Sequence, residues 1–205
     1  MVFLDLDPGN GMIIDWLANR RDISHDGKAP LVIEVSGKTG SFSRQLAAIF
    51  PDLCFEVQDS SSELLRRGEQ SVQPELAGRV RFTPRDLFAT RSIQEMEGEG
   101  EGDRGFTPIA FLLRGVLWNL DDSEAIRLLQ SFIPAMRHCD GPLLVISDLV
   151  SPAWGTFEPH VERAFRRRDV TLMTMHNVKQ RMASEWAALI RSASPHFKVR
   201  VTSAV

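Results

Sequence analysis

Apolar runs of strand length alternate along this chain with stretches whose apolar positions recur at helical spacing. Residues 31–35 (LVIEV) are a continuous, largely β-branched run, as in a strand buried on both faces. Residues 43–50 (SRQLAAIF) follow at helical spacing. A second short run, 53–59 (LCFEVQD), leads into a polar helical stretch, SSELLRR. RVRFT (79–83) reads as a third strand, PIAFLLRG (108–115) as a fourth and PLLVISDLV (142–150) as a fifth. Between the last two, residues 121–137 form a long amphipathic helix with Asp122 or Ser123 as its N-cap and a charged last turn. Residues 12–20 predict a helix near the start, and helical segments lead to FKVRVTSAV at the end. This alternation predicts an α/β fold: a doubly wound, mostly parallel sheet with helices on both faces. Such sheets bind ligands outside the carboxyl ends of their strands, so chemistry is sought in the residues that follow each one.

Composition narrows the function classes. The chain has 205 residues, 43% of them hydrophobic, which suits one domain with a real core. Lys and Arg number 24 against 27 Asp and Glu, a net charge of −3, so there is no basic surplus for nucleic acid. Two cysteines, Cys54 and Cys139, exclude a disulfide scaffold and a Cys-rich metal centre. There is no run of 18 apolar residues, and acids stand at the N-terminus where a signal peptide carries bases. These features predict a soluble, cytoplasmic protein without membrane contact. The acidic, glycine-rich stretch 95–105 reads as a solvated surface loop rather than an acidic metal site. Arg166, Arg167 and Arg168 read as a solvated helix face.

The loop after the first strand of this series, Ser36-Gly37-Lys38-Thr39-Gly40, admits several readings. A nucleotide P-loop needs a glycine where Val32 stands, and a dinucleotide loop needs glycines at another spacing. Two readings remain: a glycine turn that lets backbone approach an adenosyl ligand, and a plain strand-to-helix turn. The second strand ends in Asp59, an acid placed to take the two hydroxyls of a ribose, or to cap a helix. After the third strand come Asp86, Leu87 and Phe88, an acid with apolar neighbours that would bracket a purine.

Several ordered blocks then resemble the S-adenosylmethionine-dependent O-methyltransferases, the fungal secondary-metabolite kind in particular. They are LVIEVSGKTGSFSRQLAAIFPDLCFEVQD, RVRFTPRDLF, FLLRGVLWNLDDSEAIRLLQ and RRRDVTLMTMHNVKQRMASEWAALI. The resemblance runs from about residue 31 to residue 201. It implies a class I methyltransferase, Rossmann-like domain over residues 31–205, preceded over 1–30 by a helical remnant, with the family's N-terminal helical dimerisation domain absent. It implies S-adenosylmethionine as cofactor. Ser36 and Gly37 would lie under the methionine part, Asp59 would hold the ribose, Asp86 and Leu87 the adenine, and Arg114 would flank the carboxylate. It implies a polyketide or phenolic small-molecule substrate methylated on a hydroxyl; surface left bare by the absent helical half would suit a protein partner or a homodimer.

The chain also departs from the family's pattern. The family's general base is a histidine where this sequence has Trp118, and indole accepts no proton at neutral pH. Of the two supporting carboxylates, one falls at Asp148 and the other position holds Gln180. Three glycines in a row become Ser36-Gly37-Lys38. His176, before Asn177 in the pocket-lining block, either faces the substrate as a replacement base or is a helix-surface histidine. Trp118 reads as a packing residue or as an aromatic wall for a polycyclic ligand. Trp154, Trp186 and Met173 read as core or lid residues. The family's last antiparallel strand, beside the fifth strand, has no counterpart, and FKVRVTSAV is the segment that would pair there instead. Methyl transfer thus has two alternatives: a related enzyme guiding a pericyclic or dehydration step, and a non-catalytic partner protein.

Overall fold

The computed structural model describes residues 2–5, 11–19, 27–88, 105–136 and 142–202. The chain order is β1 (Val2–Asp5), α1 (Gly11–Ala18), β2 (Ala29–Val35), α2 (Ser41–Ile49), β3 (Cys54–Asp59), α3 (Ser62–Gln70), β4 (Val80–Pro84), β5 (Phe106–Arg114), α4 (Asp122–Ser131), β6 (Leu143–Ser147), α5 (Pro159–His176), α6 (Ala183–Ala193) and β7 (Val199–Thr202). The strands form one sheet in the order β4-β3-β2-β5-β6-β1-β7, and every described pairing is parallel. Chain order reverses on either side of β2 and β5, which opens a crevice at the carboxyl ends of these central strands. This is the predicted Rossmann-like α/β sheet.

The five strands read from the apolar runs are all present. Continuous burial explains why β2 and β5 carry no alternation: residues 31–35 of β2 and 109–113 of β5 are all buried. Two cores cover the faces. One packs Phe111, Leu113, Leu117, Leu129, Phe132 and Trp186; the other packs Val32, Leu46, Phe55, Val57, Ala110 and Leu112. The two sets alternate along β5, as successive side chains point to opposite faces.

The first thirty residues, expected as a helical remnant outside the domain, contribute more than a helix. Val2–Asp5 adds a strand between β6 and β7, where both its edges are paired. Ile13 and Leu17 of α1 are buried in the second core. The place beside β6 expected for FKVRVTSAV is therefore taken by β1, and β7 pairs on the far edge of β1. Helix α4 is capped one residue earlier than expected. The Asp121 carboxylate accepts the Glu124 backbone N–H while Glu124 accepts that of Asp121, a reciprocal box that Asp122 or Ser123 would forfeit. The 95–104 part of the acidic stretch and Cys139 lie outside the described residues.

Trp186 is wholly buried, as expected of a core residue, whereas Trp154 and Met173 are 75% and 57% exposed. The 166–168 run divides. Arg167 and Arg168 are exposed, but Arg166 is half-buried, donating to Ser151 Oγ, the Pro152 carbonyl and Glu162, with its guanidinium 3.8 Å from the Trp154 ring centroid.

Phe111 has no exposed surface and its ring centroid lies 5.2 Å from that of Phe132. Phe111→Ala is expected to cost about 3–5 kcal/mol in urea unfolding. Val170→Ala, on the exposed side of α5, should stay within about 0.5 kcal/mol of the parent.

Candidate active site

Because the strands are parallel, their carboxyl ends share one edge, and the residues singled out from the sequence gather there. Ser36, Gly37 and Lys38 follow β2, and Asp59 ends β3. Asp86 and Leu87 follow β4, and Arg114 ends β5. Trp118 sits in a 3₁₀ turn, Leu117–Asn119, and Asp148 follows β6. His176 ends α5.

The first half of the site is built around two buried carboxylates. Glu34, inside β2, is 4% exposed. Its Oε2 accepts from Ser43 Oγ at 2.6 Å and from the Ser43 N–H at 3.3 Å. The N-cap of α2 is Gly40, which has no side chain to cap with. Glu34 does that work from the strand, with its charge at the positive end of the helix. Burial pushes its carboxyl pKa up, opposed by the Ser43 bonds and the Arg114 charge. Sequence reading passed over Glu34. The signal was an acid inside an apolar run, with a serine in the following helix.

The loop between β2 and α2 alternates in hand. Ser36, Lys38 and Gly40 have φ of +56°, +55° and +64°. For Ser36 and Lys38 this costs about 1 kcal/mol each relative to glycine. The glycines are required by the protein itself. A Cβ on Gly37 would lie 2.8 Å from Val57 Cγ1, and one on Gly40 would lie 2.6 Å from Val57 Cγ2. The loop thus packs down on β3, and the Lys38 backbone N–H meets Asp59 Oδ2 at 2.9 Å. Asp59 Oδ1 accepts the Ser61 N–H at 2.9 Å. Asp59 is 6% exposed, and each oxygen keeps an acceptor site beyond the bond it makes. Past β4, the Arg85 N–H donates to the Asp59 carbonyl. Asp86 is exposed and accepts the Phe88 N–H, while Leu87 is half-buried against the core. The Arg114 guanidinium lies 4.5 Å from the Phe42 ring centroid.

The second half joins the three residues named for chemistry. Asp148 Oδ2 accepts the Trp118 backbone N–H at 3.0 Å, and its Oδ1 accepts the Leu149 N–H. The Trp118 indole N–H donates to the Gly115 carbonyl at 2.9 Å. The Trp118 and His176 ring centroids are 5.6 Å apart at 84°, edge to face. Burial raises the Asp148 carboxyl to about 6, opposed by hydrogen bonds from the Leu149, Trp118 and Leu117 backbone and by the Arg181 charge. Arg181, which sequence reading left aside, is 3% exposed. It donates to the Leu117 and Leu120 carbonyls and to Asp122 at 2.7–2.9 Å. Beside it, the Gln180 N–H donates to Asp169 Oδ1, and Gln180 Oε1 is buried with no hydrogen-bond partner among the described residues.

The chain is 55% identical to O-methyltransferase phnC of Penicillium herquei over 195 residues, 95% of this chain and 44% of that protein. Among solved structures it resembles CalO1, a methyltransferase in calicheamicin biosynthesis solved with S-adenosylhomocysteine bound. The TM-score is 0.57 at 22% identity, covering 90% of this chain and 50% of that one. It also resembles a pericyclic reaction enzyme, with a TM-score of 0.65 at 20% identity, covering 84% of this chain and 39% of that one. At these identities the two structures show the fold. No family model matches. The chain spans less than half the length of the fungal relatives it matches.

The raised Asp148 carboxyl has a stability signature. Its folded pKa of about 6 lies above the ordinary 3.8, so its contribution is full below pH 4 and is lost as pH rises through 6. The loss is on the order of 3 kcal/mol. In urea unfolding from pH 4 to pH 8, Asp148→Asn should gain about that much relative to the parent. A difference independent of pH would contradict the assignment.

Proposed function

We propose that this chain, similar in sequence to fungal O-methyltransferases and in fold to methyltransferase structures, is a member of that family and binds S-adenosylmethionine in the cytoplasm. There it supports methylation of a hydroxyl on a polyketide or phenolic small molecule. The observation that carries this reading is the Asp59 carboxylate. Two backbone N–H groups hold it at the tip of β3, with acceptor sites left over for a vicinal diol. The other residues suit the same ligand. Leu87 and Phe88 offer apolar surface to a purine, and Arg114 offers a cation to a carboxylate. Ser36 and Gly37 form the floor beneath the amino-acid part.

When bound, the sulfonium supplies an electrophilic methyl group. The chain's own residues bind, orient and move a proton. Trp118 has committed its indole N–H to Gly115, so its ring serves as a flat wall against which a polycyclic substrate stacks. Asp148 is engaged by backbone N–H groups and acts as a positioning residue for the Trp118 turn. His176, edge to face with Trp118, takes the proton of the substrate hydroxyl on an imidazole nitrogen. In this reading the histidine has moved from the fourth-strand block to the end of α5. Bringing the hydroxyl and the methyl donor together supplies much of the remaining rate.

A second reading keeps the fold and gives up methyl transfer, for a pericyclase-like or dehydrating step or for a partner-protein role. The observation that favours it is Trp118 itself, a group without an acceptor nitrogen at the position the resemblance gives to the base.

Calorimetric titration with S-adenosylhomocysteine should show micromolar binding that Asp59→Ala reduces at least tenfold. His176→Gln should leave that binding intact while lowering methyl transfer about 10²-fold or more. Absence of binding by the folded parent chain would rule out cofactor-dependent catalysis in the chain as it stands. Full methyl transfer by His176→Gln would remove His176 as base.

A further inference from the structure

We infer that Lys38 is a ligand-contacting cation whose ammonium engages the carboxylate of the amino-acid end of the bound adenosyl ligand; this rests on the cofactor reading above. The backbone makes the first argument. Lys38 has φ of +55°, in the left-handed region where glycine is at ease and lysine is not. Glycine would serve the loop better, so the fold does not account for a lysine here. Strain of this kind points to a role for the side chain.

Position makes the second argument. The Lys38 N–H is bonded to Asp59 Oδ2, so the residue is fixed beside the carboxylate assigned to the ribose. Its side chain is exposed, and among the described residues no carboxylate pairs with its ammonium. Charge makes the third. Along this edge Asp59 has both oxygens bonded to backbone amides, and Glu34 is sealed beneath the loop. Asp86 is exposed beyond β4, at the end assigned to the purine. Arg114 stands at the end of β5, the strand next to β2. The amino-acid end of the ligand would thus meet two cations, Arg114 and Lys38.

The test compares two probes on the full chain by calorimetry. S-adenosylhomocysteine carries the amino-acid carboxylate, and 5′-methylthioadenosine has the same adenosine and thioether without it. Lys38→Met keeps the strain and removes the charge. Lys38→Gly removes both. The expected result is that both substitutions cut the preference for S-adenosylhomocysteine roughly 2–5-fold, and that the difference from the parent shrinks in high salt. Lys38→Gly alone should raise the melting midpoint of the free protein, by about 2–4 °C. An undiminished preference in Lys38→Met would overturn the inference and leave Arg114 as the carboxylate's cation. A midpoint not raised by Lys38→Gly would overturn the strain argument. A parent that binds neither probe would remove the cofactor reading itself, a failure distinct from the other two.

Discussion

A carboxylate sealed inside a sheet must find hydrogen-bond donors or lose its charge, and Glu34 finds them on Ser43, in the first turn of the helix that follows its strand. Glu34 reaches from β2 to the first turn of α2 and caps it where Gly40 offers nothing. That bond sets where α2 begins and how tightly the intervening loop must turn. The loop answers with alternating hand at Ser36, Lys38 and Gly40, pressed so closely on Val57 that Gly37 and Gly40 have no room for a side chain. The same turn delivers the Lys38 N–H to Asp59. One buried acid therefore anchors the start of the helix, and the loop between them holds the second acid, Asp59, in place through the Lys38 N–H.

The other half of the site uses both polarities of the backbone. The 3₁₀ turn carrying Trp118 is held through its N–H groups by Asp148 and through its carbonyls by Arg181. Gripped from both sides, the turn has little freedom, and the indole is fixed further by Gly115. Asp148 pays for its place with a carboxyl raised to about 6. A buried acid that is costly to ionise is common where a site needs fixed geometry more than it needs stability. His176 enters from the end of α5, a helix whose one buried residue is Leu172, so its contact with Trp118 ties a lightly packed element to a rigid one.

The architecture was legible because strands buried on both faces announce themselves as largely apolar runs, as β2, β5 and β6 do, while β3 (CFEVQD) buries polar side chains between its apolar ones. The residues at their carboxyl ends followed from the topology. What escaped depends on contacts distant in sequence. The placement of β1 between β6 and β7 cannot be read from VFLD, whose four residues suit many environments. Glu34 and Arg181 reveal their roles only through partners in other elements, Ser43 for one and the Leu117–Asp122 turn for the other. The glycine loop left two readings open, approach to a ligand and a plain turn, and the missing side chains of Gly37 and Gly40 face Val57. Trp118, Asp148 and His176 were named separately, and their meeting depends on the turn after β5 and the end of α5 closing over the same edge.

The Asp59 carboxylate, held by the amides of Lys38 and Ser61, is proposed as the ribose acceptor. A crystal structure of the chain grown with S-adenosylhomocysteine tests it most directly. Both ribose hydroxyls are expected within hydrogen-bond distance of Asp59, with the Lys38 and Ser61 bonds kept. Ligand bound elsewhere, or ribose hydroxyls satisfied by other groups while Asp59 faces only those two amides, would contradict it.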